Sequence, residues 1–315
     1  MKLHQLISQY VAFRKSMGEK FNTCECVLKA FCRAMGDQVD INDVRADRVV
    51  TFLAGAGPVT SHWHRKHTTL RGFYRYAISR GWVISSPLPT VVPQLPARFV
   101  PYIYTHDDLF RLLNATASYQ RRHVLLEPHT FRAILLLLYG AGLRLSEALS
   151  LWVGDVDLPV ALITIRNTKF YKSRIVPLGP QLNQAMVRYA KNRKEAGHSQ
   201  SKSAPFFVGC TGAPLKTSTV QQAFLRLRAH AGIRRTDGAR YQPRLHDLRH
   251  AFAVNRLTAW YKQGADVQTQ LAKLSTYLGH ISIASTQVYL TMTPTLLGEA
   301  SIRFSQYANK EGYHD

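Results

Sequence analysis

Five prolines lie close together in the first third of the chain, at positions 87, 89, 93, 96 and 101. A helix cannot run through such a spacing, because proline lacks the amide hydrogen that a helix needs and its ring clashes with the preceding turn. Apolar residues follow a helical period on the N-terminal side and again in the longer C-terminal part. The sequence therefore predicts a helical domain over residues 1–86, an extended linker at 87–103 and a second domain over 104–315.

The first domain is predicted to consist of amphipathic helices, one of which carries a basic face. Asn42 or Asp43 is the expected cap of the segment that runs through Leu53. From Ser61 onward, aromatic and apolar residues alternate with basic ones at helical spacing. The basic residues proposed to contact DNA are Arg65, Lys66, Arg71 and Arg75. An ordinary amphipathic surface helix has the same pattern, and the charge of the whole chain favours the DNA interpretation.

Net charge is the unusual bulk property of this chain. Its 41 Lys and Arg against 19 Asp and Glu give +22, with a pI near 10.1. The excess is spread along both predicted domains, which argues against a single basic tail. Such a surplus indicates a polyanionic partner, most simply nucleic acid, because Lys and Arg release the counterions condensed on its phosphates. The four cysteines lack zinc-like spacing and are expected to be reduced, as in a cytosolic protein.

The second domain is predicted to be mainly helical around one β-hairpin. Thr105 precedes two aspartates and is the expected N-cap of a helix through Leu113. Two β-rich runs, 161–165 and 174–178, flank a short polar and aromatic turn, which is typical of a hairpin. The further predicted helices are 131–139, 145–152, 218–231, 246–262, 267–278 and 283–289. The expected fold class is therefore mainly α with a small β-hairpin or sheet.

Several groups able to act on a phosphodiester occur in a fixed order in this second domain. Arg144 follows a glycine-bounded turn, and Glu147 lies three residues on. The run His-Asp-Leu-Arg-His at 246–250 supplies a second arginine, and Gly279-His280 and then Tyr289 follow. Each element alone is a weak signal, since an arginine beside a glutamate is often a surface ion pair. Together they suit attack by a tyrosine while fixed cations hold the charge of the transition state.

This ordered set resembles the tyrosine recombinase, or phage integrase, family over residues 104–307, with a looser match of 1–86 to the family's helical domain. The resemblance implies a SAM-like core-binding domain followed by an α+β catalytic domain. It also implies a catalytic set made of Arg144, Lys169, His246, Arg249, His280 and Tyr289, with Glu147 supporting the first arginine. Tyr289 follows His280 by nine residues, the usual family spacing for the nucleophile.

In the mechanism that the resemblance implies, Arg144 and Arg249 donate hydrogen bonds to the non-bridging phosphate oxygens, and His280 adds another. His246 is expected to bind the phosphate and to accept the tyrosine proton. No metal or cofactor is expected, because the guanidiniums take the part that Mg²⁺ plays at other phosphoryl-transfer sites. The resemblance implies a 3′-phosphotyrosine intermediate and a free 5′-hydroxyl, which allows strands to be exchanged without ATP.

The hairpin departs from the family pattern around its lysine. The segment 168–178 looks like the family's Gly-Lys-Gly…Arg-x-Val-Pro-Leu hairpin, which places the general acid at Lys169, but the flanking glycines are missing. Lys172 is therefore an alternative general acid, and Lys172 and Arg174 are predicted DNA contacts. The interval between Arg249 and His280 is longer than in compact family members and favours a relative associated with mobile elements.

The expected partner is double-stranded DNA with inverted-repeat core sites. The protein is predicted to be a tetramer in the synaptic complex and a monomer or dimer when free. No membrane association is expected, because the longest apolar run is too short to span a bilayer, and the predicted location is the cytoplasm of a prokaryote, at the nucleoid. Two alternatives share the chemistry or the scaffold, namely a type IB topoisomerase and a catalytically silent DNA-binding regulator.

Overall fold

The computed structural model describes residues 1–56, 59–94, 100–118, 126–166, 173–239, 241–280, 282–291, 298 and 301–302. The chain divides into two compact units, Met1–Phe99 and Val100–Asp315. Within the described ranges, no helix is both long enough and apolar enough to cross a membrane. The fold class is confirmed as mainly helical with a small antiparallel sheet.

Four helices make up the described part of the first unit, α1 (Leu3–Ser16), α2 (Asn22–Met35), α3 (Ala46–Ala54) and α4 (Ser61–Ser79). Their core includes Leu28, Phe31 and Phe73, each with no exposed surface. The predicted cap of α3 is wrong. Asn42 and Asp43 belong to a short 3₁₀ turn, in which the Asp40 carboxylate accepts the Asn42 amide hydrogen, and α3 starts only at Ala46.

The amphipathic character predicted for α4 is confirmed. The residues of the predicted apolar face are buried, namely Trp63, Leu70, Phe73, Tyr74 and Ala77, whereas Arg65, Arg71 and Arg75 are exposed. Lys66 differs from these three arginines. Its ammonium donates to the carbonyl of Phe52 at 2.6 Å and lies 4.5 Å from the centre of the Phe52 ring. That cation is therefore held within the first unit, and the exposed basic face consists of the three arginines.

The second unit opens with α5 (His106–Ser118), α6 (Pro128–Gly140) and α7 (Leu145–Leu149). The predicted cap of α5 is confirmed: the Asp108 amide donates to Thr105 Oγ1 and the Thr105 amide donates to the Asp108 carboxylate, both at 3.0 Å. Helix α7 is shorter than predicted and ends before Trp152. The reason is that the Trp152 amide donates to the Asp155 side chain and the Val153 amide to the carbonyl of Ala204.

Among the described residues, three strands form one antiparallel sheet in the order β1 (Val156–Asp157), β2 (Leu162–Ile165) and β3 (Arg174–Pro177). The predicted hairpin is β2 and β3, and its register pairs Ile163 with Val176 and Ile165 with Arg174. Ile163 and Val176 are fully buried, so one face of the hairpin belongs to the core. The short strand β1 was not predicted.

The rest of the second unit is helical: α8 (Pro180–Glu195), α9 (Thr217–His230), α10 (Asp247–Lys262), α11 (Val267–Leu278) and α12 (Ala284–Gln287). A 3₁₀ turn, Val288–Thr291, carries Tyr289. Helix α8 was not predicted, although Pro180 stands at its first turn and Met186, Tyr189 and Arg193 are buried at helical spacing. Helices α10 and α11 surround a cluster of buried apolar residues into which the Tyr289 ring packs.

Candidate active site

The turn after α6 brings Arg144 to the site. Gly142 has φ +61°, and a Cβ built on it would lie 2.5 Å from a ring carbon of Phe252. Glycine is required here both by the left-handed backbone and by the close approach of α10. Arg144 then becomes the N-cap residue of α7, and its backbone amide donates to Glu147 Oε2 at 2.9 Å. The start of α7 therefore places the side chains of Arg144 and Glu147 next to each other.

Glu147 is a buried carboxylate that accepts hydrogen bonds from two arginines. Arg144 Nη1 donates to Oε1 at 2.7 Å, and Arg174 donates to both carboxylate oxygens, at 3.1 and 2.8 Å. Burial alone raises the pKa of Glu147, but the hydrogen bonds and charges of Arg174 and Arg144 outweigh it and hold the pKa at about 2. Glu147 is therefore ionised at neutral pH and orients both guanidiniums.

Arg174, which we predicted to bind DNA, is occupied by contacts within the protein. Its side chain is only 11% exposed, and Nε donates to the carbonyl of Tyr277 at 2.8 Å. It also covers Gly279, the left-handed cap of α11, where a Cβ would lie 2.9 Å from Arg174 Nη1. Arg174 thereby connects β3, the end of α11 and Glu147. The DNA contact predicted for Arg174 stays a prediction.

Arg249 is fixed by backbone carbonyls from two directions. It is 1% exposed; Nη1 donates to the carbonyl of Gly142 at 2.7 Å and Nη2 to that of Leu278 at 2.6 Å. Glu147 Oε2 lies 3.8 Å from Nη1. Burial, followed by repulsion from Arg144, lowers the pKa of Arg249 to about 10, which still leaves it charged at neutral pH. A guanidinium has five N–H groups, so donors remain for a phosphate.

The end of α11 brings His280 to the same place. Arg144 Nη2 lies 3.3 Å from the carbonyl of Gly279, and His280 Nδ1 lies 2.7 Å from Thr286 Oγ1. Thr286 is fully buried, so its contact fixes the orientation of the His280 imidazole. Burial and the charges of Arg249 and Arg144 lower the pKa of His280 to about 4, and the ring is neutral at neutral pH.

The hydroxyl of Tyr289 lies within this arrangement. The residue is 3% exposed, and its ring stacks on that of His280 with centroids 6.1 Å apart. Nδ1 of His250 lies 3.2 Å from the phenolic oxygen. Burial raises the pKa of Tyr289, although Arg249 and Arg144 act in the opposite direction. The phenol therefore holds its proton at neutral pH and needs an acceptor before it can attack.

Residues 103–295 match the phage integrase family. This span covers the turn before Arg144, both arginines, both predicted catalytic histidines and Tyr289. The chain belongs to the phage integrase family.

Relatives in the same family cover nearly the whole chain. It is 34% identical over 308 residues to the putative integrase/recombinase y4rB of Sinorhizobium fredii, covering 96% of each sequence. It is 30% identical to the tyrosine recombinase XerC of Thermodesulfovibrio yellowstonii, covering 88% of this chain and 83% of that protein.

Solved structures of integrases have the same fold. The Tn1549 transposon integrase in complex with transposon right end DNA matches with a TM-score of 0.70 and 19% identity, covering 98% of this chain and 100% of that one. A lambda integrase dimer bound to a core site matches with a TM-score of 0.67 and 18% identity, covering 93% of this chain and 78% of that one. At this identity the likeness concerns the fold.

Two predicted site residues of this integrase-family chain, Lys169 and Lys172, lie outside the described residues. The other predicted catalytic residues are all described and lie on the turns and helices given above. His246 is exposed at the start of α10 and lines a cleft of about 400 Å³ together with Arg144 and Gln221. Within the described ranges, no group of three or more His, Cys, Asp or Glu could hold a metal ion.

His250 was not among the predicted catalytic residues, yet its ring contacts the phenolic oxygen. We expected His246 to accept the tyrosine proton, but the structure places the next histidine, one helical turn further, against the hydroxyl. The rings of His246 and His250 meet edge to face with centroids 4.9 Å apart. The sequence contained a signal, since His250 follows Arg249 directly and lies four residues after His246.

Proposed function

We propose that this member of the phage integrase family, a site-specific DNA recombinase, cleaves DNA with Tyr289 and moves a mobile element. The observation that carries the role of Tyr289 is its buried hydroxyl, which lies 3.2 Å from His250 Nδ1 and whose pKa is raised by burial against the lowering effect of the Arg249 charge. Tyr289 attacks the phosphorus, the bond to the 5′-oxygen breaks, and a 3′-phosphotyrosine forms. A 5′-hydroxyl from a partner duplex reverses the step and exchanges the strand.

The charges at the site favour a bound phosphate. Glu147 is one buried negative charge beside three guanidiniums, those of Arg144, Arg174 and Arg249. The local balance is therefore positive before DNA binds, and a phosphate that gains charge in the transition state is stabilised without reorganisation of the site. Arg144, 35% exposed, is the more accessible of the two predicted phosphate-binding arginines.

Formation of a covalent adduct tests this function directly. A DNA duplex nicked near the cleavage site loses the fragment that would reverse the reaction, so the wild-type protein should be trapped on DNA in a denaturing gel. We expect the adduct to form equally well in EDTA, because guanidiniums supply the positive charge in this mechanism. Loss of the adduct on chelation, with recovery on adding Mg²⁺, would contradict the mechanism.

The leaving 5′-oxygen needs a proton, which we assign to Lys169, a residue between β2 and β3 in the sequence. Lys169→Ala should slow cleavage by about 10²- to 10⁴-fold, the usual contribution of a general acid. A substrate with sulfur at the 5′-bridging position should restore the rate, because a thiolate leaves without a proton. Lys172→Ala is the matched control and should show no rescue by the sulfur substrate. The reverse result would move the general acid to Lys172.

The domain roles and assembly are part of the same proposal. Residues 1–86 form a DNA-binding domain, supported by the exposed arginines of α4, 87–103 form the linker, and 104–315 form the catalytic domain. Paired inverted-repeat core sites on double-stranded DNA bring four protomers together in synapsis, with a monomer or dimer when free. The protein acts on the nucleoid in the cytoplasm.

Transposition fits the similarity to the Tn1549 transposon integrase, and a tetrameric synapsis fits the lambda integrase tetramer bound to a Holliday junction. Neither alternative, a type IB topoisomerase or a silent regulator, is favoured by the relatives, which are named integrases and recombinases.

A further inference from the structure

His250 occupies the position from which a base would reach the nucleophile. Its Nδ1 lies 3.2 Å from the phenolic oxygen of Tyr289, within the range in which a proton can pass directly. The two rings are tilted by 58° with centroids 5.5 Å apart, so the imidazole edge faces the hydroxyl rather than stacking on the phenol. This arrangement suits proton transfer better than simple packing.

The backbone around His250 holds that edge in place. The residue lies in the first turn of α10, between Arg249, 1% exposed, and Ala251, fully buried. Arg249 donates to carbonyls at Gly142 and Leu278, which ties this turn of α10 to the ends of α6 and α11. Because this turn is anchored, the His250 ring stays within hydrogen-bonding distance of Tyr289.

We propose that His250 is the proton acceptor for Tyr289, taking the phenolic proton on Nδ1 during attack and returning it when the strand is rejoined. The O–H bond of Tyr289 breaks as N–H forms on His250, and the phenolic oxygen bonds to phosphorus. The bond from phosphorus to the 5′-oxygen breaks, and that oxygen takes a proton from Lys169, the proposed general acid. The inference rests on the proposed role of Tyr289 as nucleophile.

Burial and the neighbouring positive charges keep His250 unprotonated at neutral pH. Burial, with repulsion from the charged guanidiniums of Arg244 and Arg249, lowers the pKa of His250 to about 3. The imidazole is therefore neutral at neutral pH, with the tautomer that leaves Nδ1 free able to accept. A phosphate in the site adds negative charge, which offsets this repulsion and stabilises the imidazolium that forms when the proton is transferred.

Two substitutions separate proton acceptance from positioning. Asparagine at 250 can still hydrogen-bond the phenol but cannot hold its proton, whereas alanine removes both functions. If His250 is the acceptor, His250→Asn and His250→Ala should both slow adduct formation on the nicked duplex, by about 10²- to 10⁴-fold. If the ring only positions Tyr289, His250→Asn should stay within about threefold of wild type, a difference of roughly 0.7 kcal/mol in barrier, and the inference fails.

Added imidazoles provide a second readout. In His250→Ala, the rate of adduct formation should recover with imidazole and should increase with the pKa of substituted imidazoles, because a stronger base removes the proton more readily. A rescue that does not depend on imidazole pKa would contradict proton acceptance. His246→Ala is the matched control on the neighbouring turn, and a pKa-dependent rescue of that variant would transfer the role to His246.

Folding and function are checked separately from this inference. Thermal melting and gel-shift binding to the intact duplex establish that each variant is folded, and His250→Asn decides the question if His250→Ala does not fold. A full adduct yield from Tyr289→Phe would contradict the proposed function. Full activity of His250→Asn together with an inactive Tyr289→Phe would contradict only the role of His250.

Discussion

Replacing Tyr289 with phenylalanine is expected to abolish the covalent protein–DNA adduct while leaving binding to the intact duplex unchanged. The substitution removes one oxygen, and the ring can remain in the apolar cluster of α10 and α11. The hydrogen bond to His250 is lost, at a cost of about 1 kcal/mol, which is too small to unfold the domain. Denaturing gels on the nicked duplex measure the adduct, and gel shifts measure binding.

Tyr261→Phe is the matched control for this prediction. Tyr261 packs against the same apolar cluster and undergoes the same chemical change, but it lies near the C-terminal end of α10. It should give the wild-type yield of adduct. If Tyr289→Phe also gave a normal yield, another residue would be the nucleophile, and peptide mapping of the trapped adduct would identify it.

Features set by neighbours in sequence were predictable. The cap formed by Thr105 and Asp108 uses side chains three residues apart, and strands β2 and β3 lie within the two β-rich runs of the sequence. The order of arginine, histidine and tyrosine motifs indicated the site because each motif is local. In the same way, the buried face of α4 follows from a helical period alone.

Features set by distant contacts were not predictable. Helix α8 buries Arg193, a residue typical of a surface, because its guanidinium donates to the carbonyls of Phe206 and Pro205 in a later loop. The ion pair between Arg174 on β3 and Glu147 on α7 joins residues that are 27 positions apart in sequence. The contact between His250 and Tyr289 depends on how α10 packs against the 3₁₀ turn, and it joins residues 39 positions apart in sequence.

Glu147→Gln is expected to impair both stability and cleavage. The glutamine keeps the shape of the side chain but removes the negative charge that pairs with Arg144 and Arg174. Removing one partner of a buried ion pair costs about 3–5 kcal/mol, because the remaining charge stays buried without compensation. Arg174 is the more affected of the two, since it is only 11% exposed. Denaturant unfolding measures the loss, and adduct formation should fall because Arg144 loses its fixed orientation.

Glu195→Gln provides the control, because Glu195 forms an exposed pair with Lys191 at 3.8 Å and such pairs contribute at most about 1 kcal/mol. The pH dependence is a sharper test. The pKa of Glu147 is lowered from 4.5 to about 2 on folding, so its contribution is fully present above about pH 4.5 and is lost as the pH falls toward 2. The difference in unfolding free energy between wild type and Glu147→Gln should therefore shrink across that interval. A difference that stayed constant on acidification would show that the ionised carboxylate does not hold the arginines in place.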